Sequence, residues 1–382
     1  MENASVVTSL ILTAYYDMEG LKYLYVITFL LLYIITIVLN FIIIVIICVD
    51  RALHEPMYLF VCNLAFNGLY GSTALLPPLL SNLLSHSHEV SVACCQAQSF
   101  CLHTYAFVEF TILAVMGYDR YIAICHPLQY HSIMSLSKVY RLIAFSWLYP
   151  IAAVAVIFSL TVRLIYCEEK IQKVYCSNYS FIKLSCTDTS VVNIIGLLTV
   201  VAYTIPQLIL ILYSYSQILR ICLLLSKESQ IKALKTCTPH LLAVINYSLG
   251  CFFEISQSRL NMSHVHYGIR LFMSLYFLIF PPMINPAIYG MNIQVVRVRI
   301  FKLFQVKSIP RRCAPPPRSG SANQKTGRPD LKMLDAWEDI VGLVEKLEAA
   351  GDMVREKWLP PPTGRASEPS EFLSLLITPK TL

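Results

Sequence analysis

Seven long apolar stretches constrain this chain more than any other feature of its sequence. A helix needs about 20 mostly apolar residues to cross the hydrocarbon core of a bilayer. Seven stretches of this kind, each bounded by charged or turn residues, lie at 23–49, 56–84, about 95–117, 142–164, 191–212, 239–255 and 269–289. The sequence therefore predicts an all-α membrane protein built as a seven-transmembrane helix bundle.

Composition excludes the usual soluble classes. Of the 382 residues, 56% are hydrophobic and 14% are charged, whereas soluble domains average about 45–50% apolar and about 25% charged residues. The mean hydropathy is +0.59, too high for one aqueous core to bury the apolar side chains. A soluble globular enzyme is disfavoured on this basis, and 13 Cys are too dilute for a small disulfide scaffold.

The distribution of Lys and Arg predicts the orientation of the bundle. Short cytoplasmic loops are enriched in these residues. Residues 1–21 and the loop 85–92 contain neither, and the longer loop 163–183 is mixed. The other side carries most of them, at Arg51, Arg120, Lys138, Arg141, Arg220, Lys227, Lys232, Lys235, Arg297, Arg299, Lys302, Lys307, Arg311 and Arg312. We therefore expect an extracellular N-terminus at 1–22, without a cleavable signal because Asp17 and Glu19 interrupt the pattern.

Two features of the predicted outer side agree with this orientation. Glycosylation sequons begin at Asn3, Asn178 and Asn261, although a fourth, at Asn246, falls inside a predicted span. Four cysteines also lie on this side, at Cys95, Cys167, Cys176 and Cys186. In an oxidising compartment they can form two bridges over the mouth of the bundle, and their spacing leaves all three pairings open.

The end of the third stretch carries a recognisable signature. Residues 116–128 read M-G-Y-D-R-Y-I-A-I-C-H-P-L, which resembles the M-A-Y-D-R-Y-x-A-I-C-x-P-L signature of vertebrate odorant receptors, members of the rhodopsin-like G-protein-coupled receptors. The resemblance extends over about the first 310 residues. It includes P-M-Y-L-F at 56–60, S-Y-x-x-I-L at 214–219, K-A-L-K-T-C-T-P-H-L at 232–241 and P-M-I-N-P-A-I-Y at 282–289, and the segments 67–71 and 237–242 look most like fish odorant receptors.

The resemblance implies a function. A small odorant would bind the outer half of the bundle, between the third, fifth, sixth and seventh helices, and activate a stimulatory heterotrimeric G protein that raises cyclic AMP. The receptor would lie in the plasma membrane, with no cofactor, no metal and no nucleic-acid partner. The family pattern also pairs Cys95 with Cys176 and Cys167 with Cys186.

By the same resemblance, G-protein coupling and activation depend on two cytoplasmic-side sets of residues. An acid beside an arginine at a helix end can hold the arginine until the helices shift, although a snorkelling arginine is an alternative. Proline frees a carbonyl that asparagine can bind, although a plain proline kink is the alternative here. The predicted residues are Asp119, Arg120, Tyr121, Tyr215, Asn285, Pro286 and Tyr289.

Glu109 is predicted to form a polar site inside the bundle, because a carboxylate at mid-membrane depth is costly and usually functional. Many relatives carry Asp in the second helix where this chain has Gly68, so an ion site of the family type is not expected by resemblance alone. Gly117 replaces a common Ala. The sixth helix has Y-S-L at 247–249 in place of F-Y-G, which shifts the expected aromatic residue.

Helical spacing from these motifs gives the candidate ligand-binding residues, for each of which packing between helices is an equal alternative. They contain no unpaired acid, which favours a neutral or acidic ligand. The candidates are His103, Phe107, Thr199, Tyr203, Cys251, Phe252 and Ile255.

The remaining sequence divides at two points. The receptor domain is predicted at 23–290, and the basic amphipathic segment 291–309 predicts a helix on the anionic lipids of the inner leaflet. From 310 the composition changes to a Pro-rich, Ser/Glu-rich tail, 310–382, predicted to be mostly disordered. A partner-binding tail and an erroneous join to foreign sequence are both open, and we favour the join because the change coincides with the end of the resemblance.

Two other function classes remain as hypotheses. A seven-helix transporter or channel predicts internal repeats or several paired intramembrane charges, and apart from Glu109 the stretches offer little of either. An intramembrane enzyme predicts a nucleophile, an acid pair or a His cluster at one depth, and no such set is visible. The sequence therefore favours a receptor that is not an enzyme.

Overall fold

The computed structural model of this chain describes residues 7–292, except 261 and 263. The predicted juxtamembrane helix from 293 onward and the tail at 310–382 lie outside the described residues. The described residues are mostly helical, with one small sheet among them on the outer side.

Nine α-helices follow one another along the described chain. They are α1 (Lys22–Val49), α2 (Pro56–Leu84), α3 (Val92–Cys125), α4 (Tyr130–Ile133), α5 (Leu136–Thr161), α6 (Asn178–Leu184), α7 (Ser190–Leu224), α8 (Lys227–Arg259) and α9 (Tyr267–Asn292). Short 3-10 helices lie at Thr13–Leu21, Arg51–Leu53 and Pro127–Gln129. The seven long helices correspond one to one with the seven predicted stretches, and α4 and α6 lie in the connections.

The long helices extend beyond the apolar residues that predicted them. α3 continues to Cys125, α7 to Leu224, and α8 begins at Lys227 rather than near Pro239. Six of the seven are long and apolar enough to cross a membrane. The other is α8, whose apolar stretch is interrupted by His240 and Glu254.

Local sequence signals explain several helix ends. Ser91 precedes α3 and accepts a hydrogen bond from the backbone N–H of Cys94 at 3.2 Å, and Ser226 caps α8 through the N–H of Ser229 at 3.4 Å. Pro56 stands in the first turn of α2, where its missing N–H costs nothing. These caps satisfy donors that the first turn of a helix leaves without partners.

The helix α3 lies at the centre of the bundle. It packs against α2, α5, α7 and α8, and its middle residues from Val108 to Gly117 are buried. By contrast, α7 presents large apolar side chains outward, such as Leu198 at 62% exposure and Leu212 at 60%. A soluble protein does not expose such a surface over a whole helix, so lipid is the expected neighbour.

One close approach between α2 and α3 requires a glycine. A Cβ atom added at Gly71 would overlap the ring of Tyr105, which is fully buried. The phenol of Tyr105 also donates to the carbonyl of Phe277 in α9 at 3.5 Å. Gly71 therefore allows α2 to pack directly on the ring that links α3 to α9.

We expect Gly71→Ala to lower surface expression several-fold, because overpacking of this kind costs roughly 1–3 kcal/mol. Surface labelling of an epitope-tagged receptor measures the change. The matched control is Gly196→Ala in α7, where no atom lies within 4 Å of the added Cβ. Equal expression of the two variants would contradict the close packing at Gly71.

The outer side carries a three-stranded sheet that the sequence did not predict. Strand β1 (Ser9–Leu12) lies between β2 (Glu89–Ser91) and β3 (Lys170–Ile171), antiparallel to the first and parallel to the second. Leu10 and Leu12 are buried, at 0% and 1% exposure. The N-terminal segment is therefore packed onto the outer loops.

Further hydrogen bonds hold this segment in place. The hydroxyl of Tyr15 donates to the carbonyl of Val174 at 2.7 Å, and that of Tyr267 donates to the carbonyl of Ala14 at 2.8 Å. His88, whose backbone is left-handed at φ 51°, is buried beside Tyr15. The N-terminal segment thus contacts the loop before β2, the α5–α7 connection and α9.

Two disulfides fix the long α5–α7 connection. They join Cys95 to Cys176 and Cys167 to Cys186, with Cα atoms 5.3 Å apart in each. These are the two pairs that the family resemblance implies. The first ties the connection to the outer end of α3, across the mouth of the bundle.

Candidate functional site

The carboxylate of Glu109 is the centre of a polar cluster inside the bundle. It is 1% exposed, and its two oxygens accept hydrogen bonds from two different helices. Nδ2 of Asn67 in α2 donates to Oε2 at 2.7 Å, and Nδ2 of Asn285 in α9 donates to Oε1 at 2.6 Å. Because each carboxylate oxygen has a donor, the cost of placing Glu109 at this depth is partly offset. The cluster joins α2, α3 and α9.

A third asparagine, Asn40, bonds to a carbonyl that a proline leaves without a partner in α9. Pro286 lacks an N–H, so the carbonyl of Pro282 loses its partner within α9. Nδ2 of Asn40 in α1 donates to that carbonyl at 2.8 Å. The side-chain oxygens of Asn40, Asn67 and Asn285 are buried without a partner among the described residues. These amides leave the junction of α1, α2 and α9 polar but incompletely bonded, which allows rearrangement at low cost.

Gly68 lies at the same junction. A Cβ there would be 3.1 Å from Oδ1 of Asn40 and 3.4 Å from Cβ of Pro282. The Asp found in many relatives would therefore require these neighbours to move. In this chain, amides rather than a second carboxylate face Glu109.

At the cytoplasmic end of α3, Asp119 holds Arg120. The guanidinium donates through Nε to Oδ2 of Asp119 at 3.0 Å and through a second nitrogen to the same oxygen. Tyr130 in α4 donates to the other oxygen, Oδ1, at 2.7 Å. Burial, followed by the Asp119 carboxylate, raises the pKa of Tyr130 above its ordinary value, so the hydroxyl stays protonated and donates. Asp119 and Arg120 are both buried.

His240 connects three helices just above this pair. Its Nε2 lies 2.8 Å from the carbonyl of Leu113 in α3, and its Nδ1 lies 2.6 Å from the hydroxyl of Tyr215 in α7. A carbonyl only accepts, so Nε2 carries the proton; in the neutral ring Nδ1 then accepts from Tyr215. The two rings also stack, with centroids 5.6 Å apart. His240 thereby holds α8 against α3 and α7.

The other predicted activation residues are spread around these two groups. Tyr215 bonds to His240, and Tyr289 is fully buried with its hydroxyl 4.0 Å from Sδ of Met116. Tyr121 lies at the rim, where its hydroxyl is 3.1 Å from Nε2 of His126. The predicted set is therefore distributed at several depths of the bundle rather than gathered in one site.

Four of the predicted ligand-binding residues lie in the outer half of the bundle. Tyr203 donates to the carbonyl of Phe107 at 2.6 Å, and their rings are 4.3 Å apart. His103 and Cys251 are half-buried, and Nδ1 of His103 is 2.8 Å from the carbonyl of Ser99. These side chains come from α3, α7 and α8, three of the four helices that the resemblance assigns to the pocket; none of the candidates lies on the fourth, α9.

Phe252 and Ile255 were wrongly assigned to the pocket. Their side chains are 62% and 63% exposed on the outward face of α8. The sequence does not fix the rotation of α8 about its axis, so the count could not separate these two outward-facing residues from Cys251, the half-buried candidate on the same helix. Thr199 is half-buried and donates to Ile195 of its own helix at 2.8 Å.

The aromatic residue expected on the sixth helix is present as Tyr247. It is 8% exposed, stacks on Phe110 with centroids 5.3 Å apart and packs edge-on against Phe277 at 5.4 Å. Its hydroxyl donates to the carbonyl of Ala106 at 3.1 Å. Tyr247 thus packs α8 against α3 and α9, on the cytoplasmic side of the pocket candidates.

The predicted glycosylation sites are only partly described. Asn178 begins α6 and its Oδ1 accepts from Thr161 at 2.8 Å. Asn3 and Asn261 lie outside the described residues. Glycosylation stays a prediction. Among the described residues, no group of three or more His, Cys, Asp or Glu could hold a metal ion.

Sequence reasoning gave no role to four residues that carry these contacts: Asn40, Asn67, Tyr130 and His240. His240 stood inside a quoted motif, and its place in an apolar stretch was an available signal. The polar Asn40 and Asn67 gave a similar signal in their stretches. No local sequence signal predicted the role of Tyr130, because the chain must turn after α3 before Tyr130 can contact Asp119.

Comparison with known proteins agrees with this geometry. A sequence model of the olfactory receptor family matches residues 29–307. Olfactory receptor 52D1 of Homo sapiens is 33% identical over 263 residues, which cover 68% of this chain and 83% of that receptor. Olfactory receptor 8U9 of Mus musculus is 32% identical over 308 residues, which cover 80% and 97%.

A solved structure agrees on the fold. Squid rhodopsin superposes with a TM-score of 0.60 at 17% identity, over 76% of this chain and 87% of that chain. The predicted seven-helix fold is thus confirmed, and the transporter or channel hypothesis has no support. The likeness to fish receptors stays a prediction.

The family is one of receptors, not enzymes, and its members imply small-molecule ligands and coupling to G proteins. Together with the multiple apolar helices, this indicates a multi-pass protein of the plasma membrane. The match over residues 29–307 and relatives at 33% identity over two thirds of the chain lead to one conclusion: this chain belongs to the olfactory receptor family and is an odorant receptor that acts through G proteins.

Proposed function

We propose that this receptor couples to a stimulatory heterotrimeric G protein and raises cyclic AMP when an odorant binds. The observation that carries the proposal is the arrangement at the cytoplasmic end of α3. There Arg120 is held by Asp119, which is itself held by Tyr130. A buried cation with one local partner is a group that a neighbouring protein can recruit once the helices separate.

We assign this arrangement, with the contacts of the nearby His240, to the resting state of the receptor. His240 ties α8 to α3 and α7 by two hydrogen bonds, each worth about 0.5–1.5 kcal/mol net. Movement of α8 away from both α3 and α7 breaks the two bonds and uncovers Arg120. An odorant needs only a few kcal/mol of preference for the open state to shift this equilibrium.

The odorant would bind between α3, α7 and α8, against Phe107, Tyr203, Cys251 and His103. Three aromatic contacts support a route from there to the cytoplasmic side. Phe107 packs on Tyr203, and Tyr247 lies one helical turn further inward, between Phe110 and Phe277. A ligand that displaces Tyr203 therefore loosens α7 from α3. One that displaces Tyr247 loosens α8 from α3 and α9.

The test is a comparison of two cell lines that differ in one G-protein subunit. The tagged receptor is expressed with and without a stimulatory α subunit, surface expression is scored, and cyclic AMP is recorded against an odorant panel. We expect a dose-dependent rise that requires the α subunit. A response of equal size without the α subunit would reject the proposed coupling.

His240→Phe is expected to raise basal cyclic AMP, roughly two- to ten-fold. Phenylalanine fills the buried space but makes neither hydrogen bond, which weakens the resting contacts by about 1 kcal/mol or more. Cyclic AMP without ligand, normalised to surface expression, measures the effect. His54→Phe, in the exposed α1–α2 connection, should leave basal activity unchanged. Lower basal activity in His240→Phe would contradict a restraining role.

The sequence outside the described residues supports two smaller proposals. The basic residues Arg297, Arg299 and Lys302 in 291–309 favour contact with anionic lipids of the inner leaflet. Residues 310–382 lie beyond the family match, which ends at 307. We propose that coupling does not require that tail.

A further inference from the structure

A cavity lies outside the helix bundle, at its extracellular mouth. It has a volume of about 570 Å³ and is bounded by the N-terminal segment, the α5–α7 connection and the outer ends of α8 and α9. We call it the vestibule. Its volume is within the range of about 300–1,000 Å³ of small-molecule sites. None of the odorant-pocket candidates lines it.

The charges that line the vestibule are unbalanced. Four lining side chains are cationic, Lys170, Lys173, Lys183 and Arg270, whereas Glu168 is the acidic one. Lys173 is neutralised, because its Nζ lies 2.8 Å from Oε1 of Glu254 in α8. The other three cations form no ion pair with any residue that the structure describes. The vestibule is therefore positive.

Arg270 is the cation with the most restricted position. It lies in the first turns of α9, half-buried, with its guanidinium 5.9 Å from the ring centre of Tyr267. Its Nε is buried and has no hydrogen-bond partner within the described part of the chain. An unpaired buried donor on a charged group is costly, so an acceptor at this point is strongly favoured.

The rest of the lining is amphipathic. Apolar side chains of Ile171, Val174, Leu184 and Leu271 lie beside these cations. Such a lining matches a molecule with one anionic end and a short apolar tail, because the tail removes apolar surface from water while the charged end pairs with arginine and lysine.

We propose that the vestibule is a second binding site, for a small organic anion with an apolar tail, whose charged end is held by Arg270 and Lys170. The site is separate from the odorant pocket and does not depend on G-protein coupling. Because Ala14, Lys170 and Ile171 belong to the segments that cover the mouth of the bundle, an occupant also bridges the N-terminal segment to the α5–α7 connection and α9.

Direct binding to the purified full-length receptor in nanodiscs tests the site. Four probes separate its features: hexanesulfonate, 1-hexanol, hexyltrimethylammonium and inorganic sulfate. Hexanesulfonate carries the negative charge and the tail, and 1-hexanol carries only the tail. Hexyltrimethylammonium carries the tail with a positive charge, and sulfate carries only the anionic group. Affinity is measured by calorimetry and by the shift in melting temperature.

The variants are Arg270→Gln, Arg270→Lys and Lys170→Gln, with Arg163→Gln as the control. Arg163 is an exposed arginine of the same connection that does not line the vestibule. We expect hexanesulfonate to bind wild type and the control with equal affinity. Its affinity for Arg270→Gln should be lower by a factor of about ten or more. Arg270→Lys keeps the charge and should lose less affinity.

Several outcomes would overturn the site. Equal affinity for 1-hexanol would show that charge plays no part, and equal affinity for sulfate would remove the role of the tail. Unchanged binding by Arg270→Gln would place the anion elsewhere. If Arg270→Gln fails to fold, Arg270→Lys and Lys170→Gln decide: wild-type affinity in both rejects the proposal. A lack of cyclic AMP response bears only on coupling, since binding is measured without a G protein.

Discussion

Replacing Arg120 with alanine should abolish odorant-stimulated cyclic AMP while the receptor still reaches the cell surface. Asp119 keeps a partner in Tyr130, so the loss of Arg120 leaves a carboxylate that is still hydrogen-bonded near the cytoplasmic end of α3. The fold should therefore tolerate the change better than a buried site usually would. The G protein, however, loses the cation that the open state offers it. We expect at least a hundred-fold loss of response per receptor at the surface.

The control is Arg141→Ala, an exposed arginine at the cytoplasmic end of α5 whose Nε lies 3.4 Å from the carbonyl of Ser137. It removes one positive charge from the same side of the membrane. Both variants are measured by dose–response curves normalised to surface labelling. A normal response from a surface-expressed Arg120→Ala receptor would refute the role of Arg120 in coupling.

Loss of the Cys95–Cys176 disulfide should remove most of the receptor from the cell surface. The bond closes a segment of sequence separation 81, and a loop of that size is worth roughly 4 kcal/mol in the chain-entropy model. Cys176 also donates its backbone N–H to Oε1 of Gln98 at 3.0 Å, so the connection over the bundle mouth is anchored twice at this point. The double variant Cys95→Ser, Cys176→Ser avoids a reactive unpaired thiol.

A neighbouring cysteine gives the matched control. Cys94 adjoins Cys95, is exposed and forms no disulfide, so Cys94→Ser should be expressed like wild type. Surface labelling and glycosidase digestion of the total pool separate folding from transport. A double variant with wild-type surface expression would contradict a stabilising role for the bond.

The sequence was sufficient for the helices because their signal is local. Twenty apolar residues in succession predict a span wherever the rest of the chain lies. The motifs likewise placed Asp119 and Arg120 in the last turns of α3, and Asn285 beside the proline within α9. Helix lengths were underestimated, since α8 begins in a charged segment that apolarity does not detect.

Contacts distant in sequence were not predictable in this way. Asn40 bonds to the carbonyl of Pro282, and Asn67 to Glu109, across helices whose rotation the sequence does not give. The same uncertainty in rotation placed Phe252 and Ile255 in the pocket when they face outward. The outer sheet was missed because β3 has two residues and β2 three, too few for an alternating pattern.

The role of Arg120 in G-protein coupling is tested most directly with purified components. The receptor in nanodiscs is mixed with a purified stimulatory G protein, and the rate of GTP-analogue uptake is recorded with and without an odorant that binds it. We expect the odorant to accelerate uptake by the G protein when the receptor is wild type, to cause no acceleration with Arg120→Ala, and uptake with His240→Phe to be fast without odorant. Odorant binding to wild type without acceleration, or acceleration that persists with Arg120→Ala, would contradict the role of Arg120 in coupling.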